Sequence, residues 1–269
     1  MKMGVKIKKD YALSANEKKR TKLWWNLSFL TIIIVFSFYS LRVNPFLVLS
    51  APVPMAGFLL EFFFPPNLSN FSRHLQVVLE TLLFAVLATY ISSITSLFLG
   101  ILMSERINPN KLARRLVRYF VSFLRNIPVI IWAQILIFVV GAGQMVGLVA
   151  LSFATIGFLS RSYAESLNDI EPAKIEALVA GGASKPQILI HGLIPEFLPS
   201  WLNWTLFSFE INIRASAILG LVGAGGIGNP IRFNLEMRNF STASTLILIL
   251  VGMVLITELT VGKLRKRFK

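Results

Sequence analysis

The sequence predicts an all-α, polytopic membrane protein with six transmembrane helices and both termini in the cytoplasm. Three observations carry that reading. The 269 residues are 55% hydrophobic, with a mean hydropathy of +0.67, and the apolar residues gather in runs that meet or approach the ~20 residues a membrane span requires. Lys and Arg outnumber Asp and Glu by 27 to 13, yet the cations collect in alternate loops. The regions between the runs carry the Pro, Gly and charged residues that interrupt helices.

Apolar windows place the spans near Trp24–Leu41, Val77–Met103, Ile127–Ala142, Met145–Leu159, Phe197–Val222 and Thr242–Gly262. The third and fourth are short. Gly141, Gly143 and Gln144 make the break between them, so this pair reads as a helical hairpin. Residues Met1–Lys22 are too long and too charged for a typical signal-peptide start, and no small-residue cleavage site is evident after the first apolar run. The chain therefore divides into a basic cytoplasmic tail over 1–23 and a single transmembrane domain over 24–269.

Loop cations set the orientation. With the amino terminus inside, 22 of the 27 Lys and Arg residues face the cytoplasm. Only Arg42, Arg73, Arg232 and Arg238 face out, and Arg214 alone lies within a span. The basic pI of about 10.4 raises nucleic acid as a partner, but the cations sit at the ends of apolar segments and form no basic domain. Nucleic acid is excluded on that distribution. The absence of cysteine excludes disulfides and thiolate metal sites.

Two intervals have a character of their own. Over about 108–124, Leu112, Leu116, Tyr119, Phe120 and Phe123 recur at helical spacing, away from Arg114, Arg115 and Arg118. That pattern predicts an interfacial amphipathic helix resting on membrane lipid. The exterior loop over about 43–75 has apolar patches broken by Pro45, Pro52, Pro54, Pro65 and Pro66, which oppose one continuous helix.

The polar interval over about 163–195 is punctuated for two short helices. Pro172 suits a first turn, and Gly181-Gly182 can end that helix. Ser184 with Gln187 fits a capping box opening the second helix, and Pro195 marks entry into the fifth span. Glu176-Ala177-Leu178, Gly182 and Pro195 also resemble the EAA loop of ABC importer permeases, with Glu, Ala, Gly and Pro in register and Leu178, Gly192 and Ile194 replacing the other motif residues. The resemblance implies that Glu176, Ala177, Gly181, Gly182 and Pro195 belong to a loop that docks on an ATPase.

Within the fifth span, Phe209-Glu210-Ile211-Asn212-Ile213-Arg214-Ala215-Ser216 precedes Gly220-Leu221-Val222-Gly223-Ala224-Gly225-Gly226-Ile227-Gly228. Together with Leu124-Arg125-Asn126-Ile127-Pro128, this resembles the permeases of phosphonate-type importers. The resemblance runs from about the second span to the sixth, and methionine-type permeases share the glycine-rich run. It implies a type I importer permease fold in the bacterial inner membrane and a pathway for phosphonate, phosphite or a related oxyanion. The implied partners are two ABC ATPase subunits, a second copy of this chain and an external substrate-binding protein.

Glu210 and Arg214 are four apart, hence on one helix face. Charges inside a membrane are costly and mark a pathway or an ion pair, and both readings stand at this point. Asn212 points roughly the other way and suits a bridge between helices or subunits, although the same segment makes it a candidate pathway residue. Gly223, Gly225, Gly226 and Gly228 match a dinucleotide-binding pattern formally, but a membrane helix precedes them where a strand is needed. A bend at an outer gate fits better. Gly143 and Gly147 are spaced for helix packing, while His74 and His191 are isolated and read as structural. No phosphate-binding G-x-x-x-x-G-K-[ST] loop, catalytic constellation or metal cluster is present in the sequence. The chain is therefore expected to be no enzyme and to hold no cofactor, with ATP used by the partner. An ion-coupled carrier is the alternative class, but no internal repeat supports it.

Overall fold

A computed structural model describes residues 2–69 and 71–267. Lys269, counted among the cytoplasmic cations, lies outside the described residues, as do the side chains of residues 2–18 and of Lys185. In chain order the helices are α1 (Lys2–Ser40), α2 (Pro45–Ser50), α3 (Pro52–Phe62), α4 (Phe71–Met103), α5 (Lys111–Asn126), α6 (Val129–Val140), α7 (Gln144–Asn168), α8 (Pro172–Ala180), α9 (Lys185–Ile188), α10 (Ile194–Leu221), α11 (Gly228–Glu236) and α12 (Phe240–Arg267). A π-helical turn, Leu189–Leu193, joins α9 to α10. There is no strand among the described residues.

Two compact units divide at Phe62 and Phe63. The first holds α1 to α3. Its prolines fall where helices begin: Pro45 opens α2 behind the Asn44 cap, and Pro52 and Pro54 lie in the first turn of α3. They split the interval into two helices instead of preventing helix altogether.

The second unit is built on α4 and α7. Small residues make their close approach possible. Ala85, Ala88, Ser92, Ser96 and Gly100 recur at helical spacing on α4 and are buried. A Cβ added at Gly100 would lie 2.9 Å from the Cβ of Tyr163 on α7. Serines add bonds along this seam: Ser92 Oγ donates to Ser152 O and Ser96 Oγ to Ile156 O, each at 3.3 Å. Helix α10 packs against both, with α12 and α11 beyond it.

Each of the six predicted windows holds a helix. Among the described residues four helices, α1 from Lys19 onward, α4, α7 and α12, are long and apolar enough to cross a membrane alone. The short third window is α6, whose 12 residues rise only about 18 Å, less than the ~30 Å hydrocarbon thickness. It qualifies only together with α5, and that pair is bent by 89°. The break lies at Ile127-Pro128: proline disfavours the helical region for the residue before it, and Ile127 is extended at φ −89°, ψ 120°. Helix α10 is long enough, but Glu196, Glu210 and Arg214 dilute its apolar character.

Candidate functional site

The interval after α7 folds into the two short helices that its punctuation predicts. Pro172 opens α8, and Gly182 ends it. Gly182 has φ +79°, the left-handed conformation that costs an L side chain roughly 1–2 kcal/mol. Its N–H donates to Val179 O, and the Ala183 N–H donates to Leu178 O, both at 3.0 Å. This pair of bonds satisfies carbonyls of the last turn as a Schellman motif. Gly181, at φ −77°, needs no special freedom. At the start of α9, Ser184 N–H and Oγ–H both donate to Gln187 Oε1, at 2.8 and 2.9 Å. The capping box thus forms from the Gln187 side.

The α8–α9 hairpin is braced against the bundle, with Ile175 packed on the buried cluster that includes Leu167 and Phe197. Lys174 Nζ lies 2.9 Å from both Glu196 carboxylate oxygens at the start of α10. The hydrogen bond and charge of Glu196 hold the Lys174 ammonium above the ordinary lysine pKa. Leu178 seats against Gly192, where an added Cβ would meet its Cδ1 at 2.7 Å. Glu176 and Ala177 are exposed on α8, and Glu176 makes no hydrogen bond or ion pair among the described residues. Val179 and Ile190 add exposed apolar surface. The hairpin therefore presents an unpaired carboxylate and apolar side chains on a braced element. Pro195 lies in the first turn of α10.

Farther along α10, Glu210 and Arg214 form an i,i+4 ion pair. The Glu210 side chain is 11% exposed and Arg214 48%, so the guanidinium reaches outward from a sheltered carboxylate. Asn212 faces the other way and is 2% exposed. Its Nδ2 donates to Thr89 Oγ1 on α4, and its Oδ1 lies 2.8 Å from Thr155 Oγ1 on α7; the first bond is also 2.8 Å. One amide thus joins the three central helices. A second polar node is Tyr163 Oη with Thr205 Oγ1 at 2.6 Å and Ser93 Oγ at 3.0 Å. Sequence spacing places Asn212 away from the charge pair, but Thr89 and Thr155 are 123 and 57 residues distant, so periodicity alone does not identify them as partners.

The glycine-rich run is a packed crossing. Gly223, Gly225 and Gly226 all have positive φ. A Cβ on Gly228 would fall 1.9 Å from Ala217 O, and one on Gly220 would fall 2.5 Å from Gly225 O, so the end of α10 and the start of α11 touch backbone to backbone. The Ile227 N–H donates to Thr81 Oγ1 at 2.9 Å, tying the run to α4. Gly147 on α7 packs directly against Ala224, whereas Gly143 has open space around it. A cavity of about 460 Å³ opens beside this crossing, with Glu80, Gln144 and Asn229 among its lining. No group of acidic or His side chains able to hold a metal occurs among the described residues.

Residues 96–269 match the family described as "Binding-protein-dependent transport system inner membrane component". The chain is 29% identical over 205 residues to the phosphite transport system permease protein of Stutzerimonas stutzeri, covering 76% of this chain and 74% of that one. It is 31% identical over 121 residues to the putative cryptic phosphonate transport system permease protein of Escherichia coli, covering 45% of this chain and 99% of that one. Its fold is similar to a solved inward-facing structure of the MetNI methionine ABC transporter, with a TM-score of 0.63 and 25% identity over 72% of this chain and 95% of that one. The matched region takes in the α8–α9 hairpin, the α10 charge pair and the glycine crossing, and the chain belongs to the binding-protein-dependent transport system inner membrane component family, as the permease subunit of an ABC importer.

Proposed function

We propose that this permease carries phosphite, a phosphonate or a related oxyanion, delivered by an external binding protein and driven by two ATPase subunits that grip the α8–α9 hairpin. Two copies of the chain enclose one pathway, each contributing Glu210 and Arg214, while the glycines from Gly223 to Gly228 shape the outer gate. Each copy crosses the membrane six times, with both termini in the cytoplasm. The chain itself binds no cofactor, and ATP is consumed in the partner.

The observation that carries the substrate class is the half-exposed Arg214 guanidinium, which extends from the sheltered Glu210 on the face of α10 opposite the Asn212 bridge. Glu210 offsets part of its charge, and the planar guanidinium still presents donors suited to a tetrahedral oxyanion. The names of the phosphite and phosphonate relatives support the same class.

Uptake by the assembled importer in vesicles tests this reading. Arg214→Gln should lower oxyanion flux in a complex that still assembles, and Glu210→Gln should not reproduce that loss. The double neutral variant should likewise assemble, without recovering transport. Full transport by the double variant would show that the substrate needs neither charge.

A further inference from the structure

Arginines from two facing helices converge on one cavity at the end of the bundle that carries α8 and α9. Arg118, Ser122 and Arg125 lie three or four residues apart on α5, and Arg161, Glu165 and Asn168 repeat that spacing on α7. One face of each helix therefore forms a wall. Met103, Val121 and Ala164, all buried, make an apolar floor. The cavity measures about 210 Å³, far more than an ordered water needs. The walls are fixed at one edge, because a Cβ on Gly157 of α7 would fall 2.7 Å from the Arg125 backbone nitrogen.

Several donors around this cavity are unspent. Arg125 makes no hydrogen bond or ion pair among the described residues. Arg161 gives only its Nε to Glu165, at 2.7 Å, leaving both terminal nitrogens. Arg118 uses one terminal nitrogen toward Glu105 and Met103 O. Asn168 accepts from Ser104 Oγ and the Glu105 N–H, which leaves its amide hydrogens free. Among the described residues Glu165 is the one carboxylate in the lining, and Glu105 pairs with Arg118 just beyond it, so three arginines against two carboxylates leave a net charge of +1.

We propose that this cavity binds a tetrahedral phosphate-type group, at a site separate from the Glu210–Arg214 pathway. Guanidinium groups meet such oxyanions with paired, charge-assisted hydrogen bonds. Two sources share this chemistry: the headgroup of an anionic phospholipid, and a free oxyanion. The outer face of α5 exposes Leu116, Tyr119, Phe120 and Phe123, which gives acyl chains an apolar surface beside the cavity. Basic pockets between membrane helices hold anionic headgroups in this way. The site does not depend on which substrate the importer carries.

The purified full-length permease in its complex is tested in two arms. In one, it is exchanged into nanodiscs of phosphatidylcholine with a minor fraction of phosphatidylglycerol, and co-isolated lipid is counted by native mass spectrometry. In the other, it is held in phosphatidylcholine alone and equilibrated with radiolabelled inorganic phosphate. Arg125→Gln combined with Arg161→Gln should lower retention about tenfold, whereas Glu165→Gln should raise it about threefold or more by removing the carboxylate that lines the cavity. Retention of phosphatidylglycerol alone identifies a lipid site, and retention of phosphate alone identifies a free-anion site; either supports the proposal. The gain in Glu165→Gln separates a site from a folding defect, since misfolding cannot increase binding. No retention above the neutral-lipid control in either arm, or no gain in Glu165→Gln, overturns it.

Discussion

Asn212→Leu isolates the bridge that joins α4, α7 and α10. The substitution keeps a branched side chain of similar reach and removes both the amide donor and the amide acceptor. The two threonines are not orphaned, because Thr89 Oγ1 already donates to Ala85 O at 2.7 Å and Thr155 Oγ1 lies 2.8 Å from Leu151 O. The loss is therefore confined to two interhelical bonds. Such bonds within membranes average about 0.6 kcal/mol and reach about 1.7 kcal/mol, so the pair contributes about 1–3 kcal/mol, or about five- to 150-fold in the folding equilibrium. Detergent-titrated unfolding of the purified protein, followed by tryptophan fluorescence, reads this directly. Double-mutant cycles with Thr89→Val and Thr155→Val should return about 0.6 kcal/mol of coupling for each pair. Unchanged stability with zero coupling in both cycles would refute the bridge. A loss well above 4 kcal/mol would refute the claim that the threonines remain satisfied.

The glycines yield further outcomes. At Gly182 the space around an added Cβ is empty, so the constraint is conformational. Gly182→Ala should cost about 1–2 kcal/mol in the hairpin and weaken ATPase stimulation, while Gly182→Asn should retain most of it, since asparagine visits the left-handed region readily; parallel ATPase and uptake assays check this. Gly228→Ala should be far more damaging, because its Cβ would overlap the Ala217 carbonyl oxygen. Overpacking of that kind costs about 1–3 kcal/mol or more, and a loss of monodisperse protein after solubilisation reports it. Gly223→Ala meets nothing nearer than Ala142 Cβ at 3.8 Å and should show only the milder conformational cost.

Much of this architecture is written locally. Hydropathy alone places a helix at each of the six windows, and the α8–α9 hairpin is legible because Pro172, Gly182 and the Ser184–Gln187 cap act within a few residues of themselves. The amphipathic pattern likewise matches α5. The sharp bend into α6 carries a local signal too, in the restriction that Pro128 imposes on Ile127, but the apolar run continues across it and masks the break. What the sequence does not disclose is which polar residues meet. Asn212 finds Thr89 and Thr155, and Arg125 comes to line one cavity with Arg161, only after helices distant in the chain have packed. The contact that fixes the second pair in place is Gly157, whose missing side chain has no meaning until α5 lies against it.

The central claim, that the α8–α9 hairpin meets the motor on the cytoplasmic face, can be tested by site-specific cross-linking. The chain has no native cysteine, so Ala177→Cys, exposed on α8, and Ser69→Cys, between α3 and α4, each supply one addressable thiol. In vesicles of defined orientation holding the complete importer, a thiol-to-amine cross-linker should join position 177 to the ATPase subunit and leave position 69 unjoined to it. An impermeant maleimide applied from outside should label position 69 at once and position 177 only after permeabilisation. Outside labelling of position 177, or cross-linking that never captures the ATPase, would contradict the account.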